Sequence, residues 1–181
     1  MPAKKDATPP DSAAIAAAFA HLVAEIAARH QKTPALCLAS VANGGIVLGQ
    51  RLAMALEERM GRQIPTGILN IAFHRDDIAS KPIPKNFIAT DLPFDVDEAT
   101  ILLVDDVLFT GRTVRAALNE IFDQGRPERV ELVVLCDRGN RRLPIQADYV
   151  GLTLPTSPTQ TVRVVLSPED PSQDQITLAP V

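Results

Sequence analysis

Two adjacent aspartates and a small-residue turn follow a short apolar run near the middle of the chain. Residues 101–104 read Ile-Leu-Leu-Val and are followed directly by Asp105 and Asp106. An apolar run of this length is typical of a buried strand in a parallel sheet, and ligands bind at the carboxyl ends of such strands. Residues 110–113, Thr-Gly-Arg-Thr, offer backbone N–H groups and hydroxyls at the start of a helix predicted over 114–124, where the helix dipole favours an anion. The pattern therefore predicts a site for a sugar phosphate.

The same residues have a plainer explanation as ordinary structure. Two aspartates can simply end a strand, Thr110 can cap a helix and Gly111 can form a turn, because these residue types are common at such places. For the aspartate pair alone, the two explanations are about equally good. The complete ordered string of apolar residues, acids and turn favours the binding site.

The composition indicates one folded unit with an acidic balance. The chain has 181 residues, 46% of them hydrophobic and 22% charged, and a net charge of −4, which suits one domain with a substantial core. We predict a disordered tail over residues 1–10 and a single domain over 11–181. An acidic chain lacks the general basic surface of a nonspecific nucleic-acid binder, so no DNA partner is expected.

Cysteine usage and hydropathy favour a cytoplasmic protein. Cys37 and Cys136 lie in apolar runs, which indicates buried thiols in a reducing compartment and argues against a disulfide. These two residues and three scattered histidines lack the spacing of a zinc site. The alanine-rich stretch 13–28 is interrupted by His21 and Glu25, so neither a signal peptide nor a membrane span is predicted.

Hydrophobic periodicity predicts alternating strands and helices. Apolar runs predict strands over 35–41, 69–73, 101–104 and 130–136, and helical spacing predicts helices over 15–26, 46–60 and 114–124. This alternation indicates an α/β fold, a doubly wound and mostly parallel sheet with helices on both faces. The polar segment 75–98 is either a functional loop or disordered. Short strand-like pieces at 147–154, 161–166 and 175–178 predict a small strand-rich hood, formed mainly by 137–181.

The motif also carries a family resemblance. The string over 101–113 closely resembles the phosphoribosyl pyrophosphate (PRPP) binding motif of type I phosphoribosyltransferases. Further segments resemble the PyrR family of pyrimidine operon regulators and uracil phosphoribosyltransferases: 114–117 (Val-Arg-Ala-Ala), 125–127 (Gly-Arg-Pro), 137–139 (Asp-Arg-Gly), 142–145 (Arg-Leu-Pro-Ile), 147–151 (Ala-Asp-Tyr-Val-Gly) and 155–157 (Pro-Thr-Ser). The resemblance extends over about residues 13–165 and implies the type I phosphoribosyltransferase fold.

The resemblance implies a reaction. Members of this family transfer the phosphoribosyl group of PRPP to N1 of uracil, which gives uridine monophosphate (UMP) and pyrophosphate, with Mg²⁺ bound. By resemblance, Asp105 and Asp106 hold the ribose hydroxyls directly or through Mg²⁺, and their charge favours the cationic sugar of the transition state. Arg75, in a Phe-His-Arg-Asp-Asp segment that begins the long loop, is expected to supply charge to the pyrophosphate. His74 beside it receives no catalytic role.

The resemblance also implies the remaining contacts. The residues expected to bind PRPP are Asp105, Asp106, Val107, Leu108, Phe109, Thr110, Gly111, Arg112 and Thr113, together with Asn43 and Gly44 of an earlier loop. That loop departs from the family, which has Thr-Arg where this chain has Asn43-Gly44, and a plain turn explains Asn-Gly-Gly equally well. Arg138 and Val162 are expected on the side of the base, where main-chain groups read the uracil edges.

The family's second activity, binding of a messenger stem-loop, is less well supported by these residues. Asn140 and Gln146 stand where regulators have His and Arg, and loss of basic groups weakens RNA binding. The arginines at 126, 141 and 142 fit a solvated surface better than an RNA site. Three possibilities therefore stay open: a uracil enzyme, a nucleotide-sensing RNA-binding regulator and a phosphoribosyltransferase for another base. The family suggests a homodimer or a higher homo-oligomer.

Overall fold

The described residues form seven strands and three α-helices. The computed structural model describes residues 8–42, 44–72 and 88–180. In chain order its elements are α1 (Ser12–His30), β1 (Leu36–Val41), α2 (Gly45–Met60), β2 (Thr66–Leu69), β3 (Thr100–Leu108), α3 (Arg112–Gln124), β4 (Arg129–Asp137), β5 (Tyr149–Thr153), β6 (Gln160–Val165) and β7 (Gln175–Pro180). A short 3₁₀ turn, Pro171–Gln173, precedes β7.

Five strands form one parallel sheet in the order β2-β1-β3-β4-β5, with β3 at its centre. Residues on one face of the sheet pack with α1 and α2, and those on the other face pack with α3. Both faces are therefore covered, which explains the uninterrupted apolar runs of the central strands. The predicted doubly wound α/β class is confirmed.

Two predicted strand boundaries were wrong. The second strand was predicted over 69–73, but β2 ends at Leu69 because its partner β1 ends at Val41, the residue paired with Leu69. The central strand β3 runs on to Leu108 instead of ending after Val104, because Asp105 and the residues after it continue to pair with β4. The two aspartates therefore lie inside the strand and not beyond its end.

The hood is smaller than predicted. Residues 147–154 were assigned to it, but β5 pairs in parallel with β4 and completes the main sheet. Strands β6 and β7 form a separate antiparallel hairpin. One end of this hairpin is joined to the helical layer by Arg51 of α2, whose Nη1 lies 2.7 Å from Oδ2 of buried Asp174. The Arg51 guanidinium also lies 4.9 Å from the ring centre of Phe19 in α1.

Helix α1 begins at Ser12, three residues before the predicted stretch, and is partly buried. Asp11 is its N-cap, and its Oδ1 accepts a hydrogen bond of 2.8 Å from the N–H of Ala14. Among the described residues, this is the one helix whose length and hydropathy would allow a membrane crossing, a test that core helices also pass. Its apolar residues Ile15, Leu22 and Ile26 are buried in the core against the sheet, as expected for an amphipathic helix in an α/β fold.

Both cysteines are free and buried, as predicted. Burial raises the pKa of both thiols, that of Cys136 to about 12, so neither is a reactive thiolate at neutral pH.

A buried polar cluster lies at the amino ends of β4 and β5. Nε2 of His30 lies 2.8 Å from Oε2 of Glu131 and 2.9 Å from the Tyr149 hydroxyl, which donates to the same Oε2 over 2.8 Å. Arg29 and Arg129 reach Oε1 of Glu131 at 2.9 and 3.2 Å. Burial alone would raise the pKa of Glu131, but the hydrogen bonds it accepts hold the pKa below its ordinary value. The cluster joins α1 to the sheet on the side away from the carboxyl edge.

Tyr149 provides a spectroscopic test of this cluster, because it is the only tyrosine and the chain has no tryptophan. Burial, followed by the hydrogen bond and charge of Glu131, raises the Tyr149 pKa well above its ordinary value. We expect native protein to show little tyrosinate absorbance at pH values where the urea-unfolded chain is half ionised, at about 10. Because the raised pKa belongs to the folded state, the contribution of the neutral Tyr149 hydroxyl to stability is complete below about pH 10 and is lost as pH rises above it. Half-ionisation of native Tyr149 near the unfolded value would contradict the packing described.

Candidate functional site

The two aspartates lie in the central strand at the carboxyl half of the sheet. The Asp105 side chain is buried, with 5% of the residue exposed, whereas Asp106 is partly exposed. Oδ1 of Asp105 accepts a hydrogen bond of 3.0 Å from the N–H of Asp106. Burial, and secondly the charge of Asp106, raises the Asp105 pKa well above its ordinary value; burial also raises that of Asp106. The pair is therefore poised to gain from an approaching positive charge.

The loop after β1 passes directly over these carboxylates. A Cβ atom added to Gly44 would lie 2.6 Å from Oδ1 of Asp106, and one added to Gly45 would overlap the carbonyl oxygen of Val104. Only glycine permits this close approach of backbone to side chain. The predicted loop residue Gly44 is thus brought to Asp106, while its neighbour Asn43 lies outside the described residues.

The turn after β3 begins helix α3 at Arg112, two residues before the predicted start. Gly111 is the N-cap, with φ of +89° in the left-handed region, and the Thr110 hydroxyl accepts from the N–H of Arg112 over 3.3 Å. The first turn of the helix contains no acidic residue. The N–H groups of a first helical turn and the positive end of the helix dipole make this turn, which follows the strand of the carboxylates, suited to an anion.

Arg138 lies beside this turn, but its side chain is held by the protein itself. The residue is 5% exposed, its guanidinium carbon lies 3.9 Å from the ring centre of Phe109, and Nε donates to Oγ1 of Thr156 over 2.9 Å. Nη2 donates to the carbonyl oxygens of Ser157, over 3.2 Å, and of Gln160. Burial lowers the Arg138 pKa. Arg138 thus ties the start of the hood hairpin to the site, and its contact with a base stays a prediction.

The remaining predicted residues divide into those in the hood, those near the carboxylates and those outside the described residues. Val162 is buried against the core of the α1 and α2 face, in the hood strand β6. Gly44 lies next to Asp106, and the turn follows the same strand that carries both carboxylates. Arg75 and Asn43, with His74, lie outside the described residues, so their roles stay predictions.

Oxygen ligands at this site suit a hard divalent cation. No group of three or more His, Cys, Asp or Glu side chains in the described part of the chain is arranged to hold a metal ion. Asp105 and Asp106 supply carboxylate oxygens, the donors that Mg²⁺ prefers, and Mg²⁺ usually completes its shell with water and substrate phosphates. The donor set therefore fits a Mg²⁺ ion that binds together with a phosphorylated ligand.

Sequence reasoning missed one residue that the structure places under the turn. Arg141 was treated as a surface arginine, but its guanidinium points inward, to the carbonyl oxygens of Phe109 and Ile145 at 3.0 and 2.9 Å. The only signal in the sequence was its place shortly after Asp137 and Arg138, at the end of a core strand.

Comparison with known proteins gives consistent matches. The family model for the phosphoribosyl transferase domain matches residues 11–169. The bifunctional protein PyrR of Deinococcus deserti is 46% identical over 156 residues, 84% of each chain, and that of Listeria welshimeri is 42% identical over 169 residues, 92% of each chain. The PyrR protein of Streptomyces coelicolor is 46% identical over 89% of this chain and 82% of its own.

Solved structures share the fold at lower identity. A hypoxanthine phosphoribosyltransferase of Trypanosoma cruzi superposes with a TM-score of 0.66 at 20% identity, over 94% of this chain and 95% of its own. The Staphylococcus aureus hypoxanthine phosphoribosyltransferase gives a TM-score of 0.62 at 19% identity, over 86% and 80% of the two chains. At this identity the likeness concerns the fold.

The buried carboxylate of Asp105 should reduce the stability of the folded chain. Because its folded-state pKa is raised, stability falls as pH rises from the ordinary aspartate pKa of about 3.9 to the raised value, and then stays lower. We expect Asp105→Asn to raise the melting temperature at pH 8, by about 2–4 °C for each kcal/mol regained, and to have little effect near pH 4. Thermal unfolding followed by circular dichroism across this pH range measures the difference.

Asp106→Asn is the matched control, because Asp106 is more exposed and its pKa is raised less. Its gain at pH 8 should be smaller than that of Asp105→Asn. A lower melting temperature for Asp105→Asn at pH 8 would show that the charged carboxylate stabilises the fold.

Proposed function

The chain belongs to the phosphoribosyl transferase domain family and, within it, to the PyrR family. From this premise we propose that it transfers the phosphoribosyl group of PRPP to uracil, which gives UMP and pyrophosphate. The observation that carries the proposal is the aspartate pair in the central strand, with Asp105 buried and Asp106 partly exposed, next to a helix-opening turn and under a glycine loop. A ribose phosphate needs these three features side by side, because it presents hydroxyls, a 5′-phosphate and a leaving pyrophosphate.

The reaction demands positioning and charge more than a protein nucleophile. Departure of pyrophosphate leaves a ribose with oxocarbenium character, and the carboxylates of Asp105 and Asp106 favour that positive charge in a low-dielectric site. We assign the ribose hydroxyls to this pair and the 5′-phosphate to residues 107–113. The loop at Gly44 offers main-chain groups to the pyrophosphate, and Arg75 is proposed as the cation on the same side.

Mg²⁺ bound by Asp105 and Asp106, directly or through water and ribose hydroxyls, would neutralise the charge of the pyrophosphate. The positive charge of Mg²⁺ would also lower the free-energy cost of keeping two negatively charged carboxylates next to each other. We therefore propose Mg²⁺ as the cofactor that accompanies PRPP.

The choice of uracil rests on family membership. Arg138 holds the hood hairpin next to Phe109, and this contact supports our proposal that the base lies on the hood side of the site. We propose that main-chain groups of the hood read the base, with Arg138 and Val162 as the surrounding wall.

A second candidate function is binding of a messenger stem-loop, and it is favoured by the word bifunctional in the names of the relatives. Two observations count against it. Asn140, which replaces a family histidine, adopts φ of 60° and donates from its amide to the Thr156 carbonyl oxygen over 2.8 Å. Arg141 is turned into the protein and contributes less to any basic surface. We therefore place this function second.

Pyrophosphate release tests the proposal. Purified protein with PRPP and Mg²⁺ should release pyrophosphate when uracil is added, and much less with hypoxanthine, guanine or orotate. Asp105→Asn with Asp106→Asn should reduce turnover by about 10²-fold or more, because electrostatic groups at a developing charge have effects of this size. Release with another base alone would transfer the assignment to that base, and no release with any base would make the RNA-binding function the leading candidate.

Gly44→Ala separates catalysis from stability. The added Cβ must displace the Asp106 carboxylate, but Gly44 has helical φ and ψ of −94° and −45° that alanine adopts freely. We expect the melting temperature to change little and kcat/KM for PRPP to fall by roughly 10- to 100-fold, because misplacement of reacting groups by about 1 Å has effects of this size.

Gly61→Ala is the converse control. Gly61 ends α2 with φ of +67°, so alanine there should cost about 1–2 kcal/mol of stability and leave kcat/KM unchanged. If Gly44→Ala kept wild-type kcat/KM, the assignment of this loop to the site would be wrong.

A further inference from the structure

Each guanidinium nitrogen of Arg141 is hydrogen-bonded within the protein, and the side chain is 22% exposed. Its Nε donates to the Ile145 carbonyl oxygen over 2.9 Å, and Nη2 lies 2.6 Å from Oδ2 of Asp137. Its Nη1 faces the carbonyl oxygens of Phe109, Leu108 and Gly139 at 3.0, 3.4 and 3.3 Å. The planar fork of a guanidinium thus joins the ends of β3 and β4 to the loop that follows β4.

These contacts orient the peptide groups at the start of the turn. In a planar trans peptide the N–H points opposite to the carbonyl. Arg141 holds the carbonyl of Phe109, and Arg141 together with the backbone N–H of Arg138 holds that of Leu108. The N–H groups of Phe109 and Thr110 are therefore directed away from Arg141.

The same loop extends this arrangement by one peptide. The Thr110 carbonyl oxygen accepts hydrogen bonds from the N–H groups of Arg142 and Leu143, at 3.0 and 3.1 Å, so the N–H of Gly111 also points away from the loop. Three successive N–H groups directed to one side form the kind of concavity that binds anions. Backbone N–H groups also hold the carbonyls of Leu108 and Thr110, so the Phe109 carbonyl is the one that depends on Arg141. Without that contact, the Phe109 carbonyl oxygen would be free to turn toward the anion and repel it.

We propose that Arg141, together with Asp137, is a positioning residue for the 5′-phosphate: it does not touch the phosphate but holds the carbonyls of the turn away from it. The proposal rests on the proposed function, because it takes the ligand of this turn to be a phosphate monoester. It assigns Arg141 an internal role in place of a surface or RNA-binding role. The planar, forked geometry of the guanidinium, and not its positive charge alone, is what holds the carbonyls of the turn in place.

The test compares Arg141→Gln and Arg141→Lys with Arg142→Gln. Arg142 is the adjacent arginine and its side chain is exposed, so Arg142→Gln removes the same charge and leaves the contacts under the turn in place. Binding of ribose 5-phosphate and of PRPP is measured by calorimetry, and KM for PRPP and uracil by steady-state kinetics. Circular dichroism checks that each variant is folded.

We expect Arg141→Gln to weaken binding of ribose 5-phosphate and to raise KM for PRPP by at least about tenfold, the size of one lost hydrogen bond to a charged group. KM for uracil should change by less than twofold. Arg141→Lys should be nearly as defective, because an ammonium group cannot form the fork. Arg142→Gln should behave as wild type.

The inference would be overturned if Arg141→Gln bound ribose 5-phosphate within twofold of Arg142→Gln, if lysine restored full affinity, or if the wild-type protein bound neither ribose 5-phosphate nor PRPP. Failure of the proposed function has a different signature. In that case the wild-type protein would release no pyrophosphate with uracil, while ribose 5-phosphate would still bind and still depend on Arg141.

A second variant keeps the test decisive if Arg141→Gln does not fold. Asp137→Asn preserves shape but removes the carboxylate that pairs with Nη2, so the fork keeps its carbonyl contacts and loses its orienting charge. We expect a smaller loss of ribose 5-phosphate affinity, about two- to fivefold, again without change in KM for uracil. An unchanged affinity for ribose 5-phosphate in folded Asp137→Asn would also overturn the inference.

Discussion

The constraint on which this structure depends is the placement of a buried carboxylate, Asp105, beside a second, partly exposed one, Asp106, in the central strand of a parallel sheet. Asp105 is almost fully enclosed, and its pKa is raised by burial and by Asp106. Such an arrangement is unfavourable in the free protein, because both desolvation and like charge oppose ionisation. It becomes favourable when positive charge arrives, and under the proposed function that charge comes with the substrate and its metal ion. The site thus trades stability of the folded chain for affinity toward a charged transition state.

The surroundings of the carboxylates are built largely from main chain. Gly44 lets the loop after β1 reach Asp106, and the turn after β3 presents N–H groups at the start of α3. Main-chain groups bind anions without the conformational freedom of long side chains, but they must be held in one orientation. The inward-facing arginines supply that hold: Arg138 fixes the hood, and Arg141 fixes the carbonyls under the turn.

The opposite edge of the sheet shows the contrasting use of buried charge. Glu131 is as deeply buried as Asp105, but it accepts hydrogen bonds from cationic and hydroxyl partners, and its pKa is lowered where that of Asp105 is raised. The two carboxylates therefore differ in what satisfies them. Glu131 is paired with cationic and hydroxyl groups of the protein and joins α1 to the sheet. The charge of Asp105 is instead available for interaction with a positively charged ligand.

The sequence by itself determined the class of the fold and the place of the chemistry. Apolar runs and helical spacing follow directly from which faces are buried, so the alternation of strands and helices, the buried cysteines and the edge carrying Asp105 and Asp106 could all be read from local pattern. Tertiary structure alone decided where β2 and β3 end and that β5 joins the main sheet, because pairing with a neighbour sets these bounds. It also decided the inward direction of Arg138 and Arg141. Arginine is mostly a surface residue. The carbonyls of Phe109, Ser157 and Gln160, which help to hold these two arginines, come from segments distant in the chain that converge only when the strands and the hood are assembled.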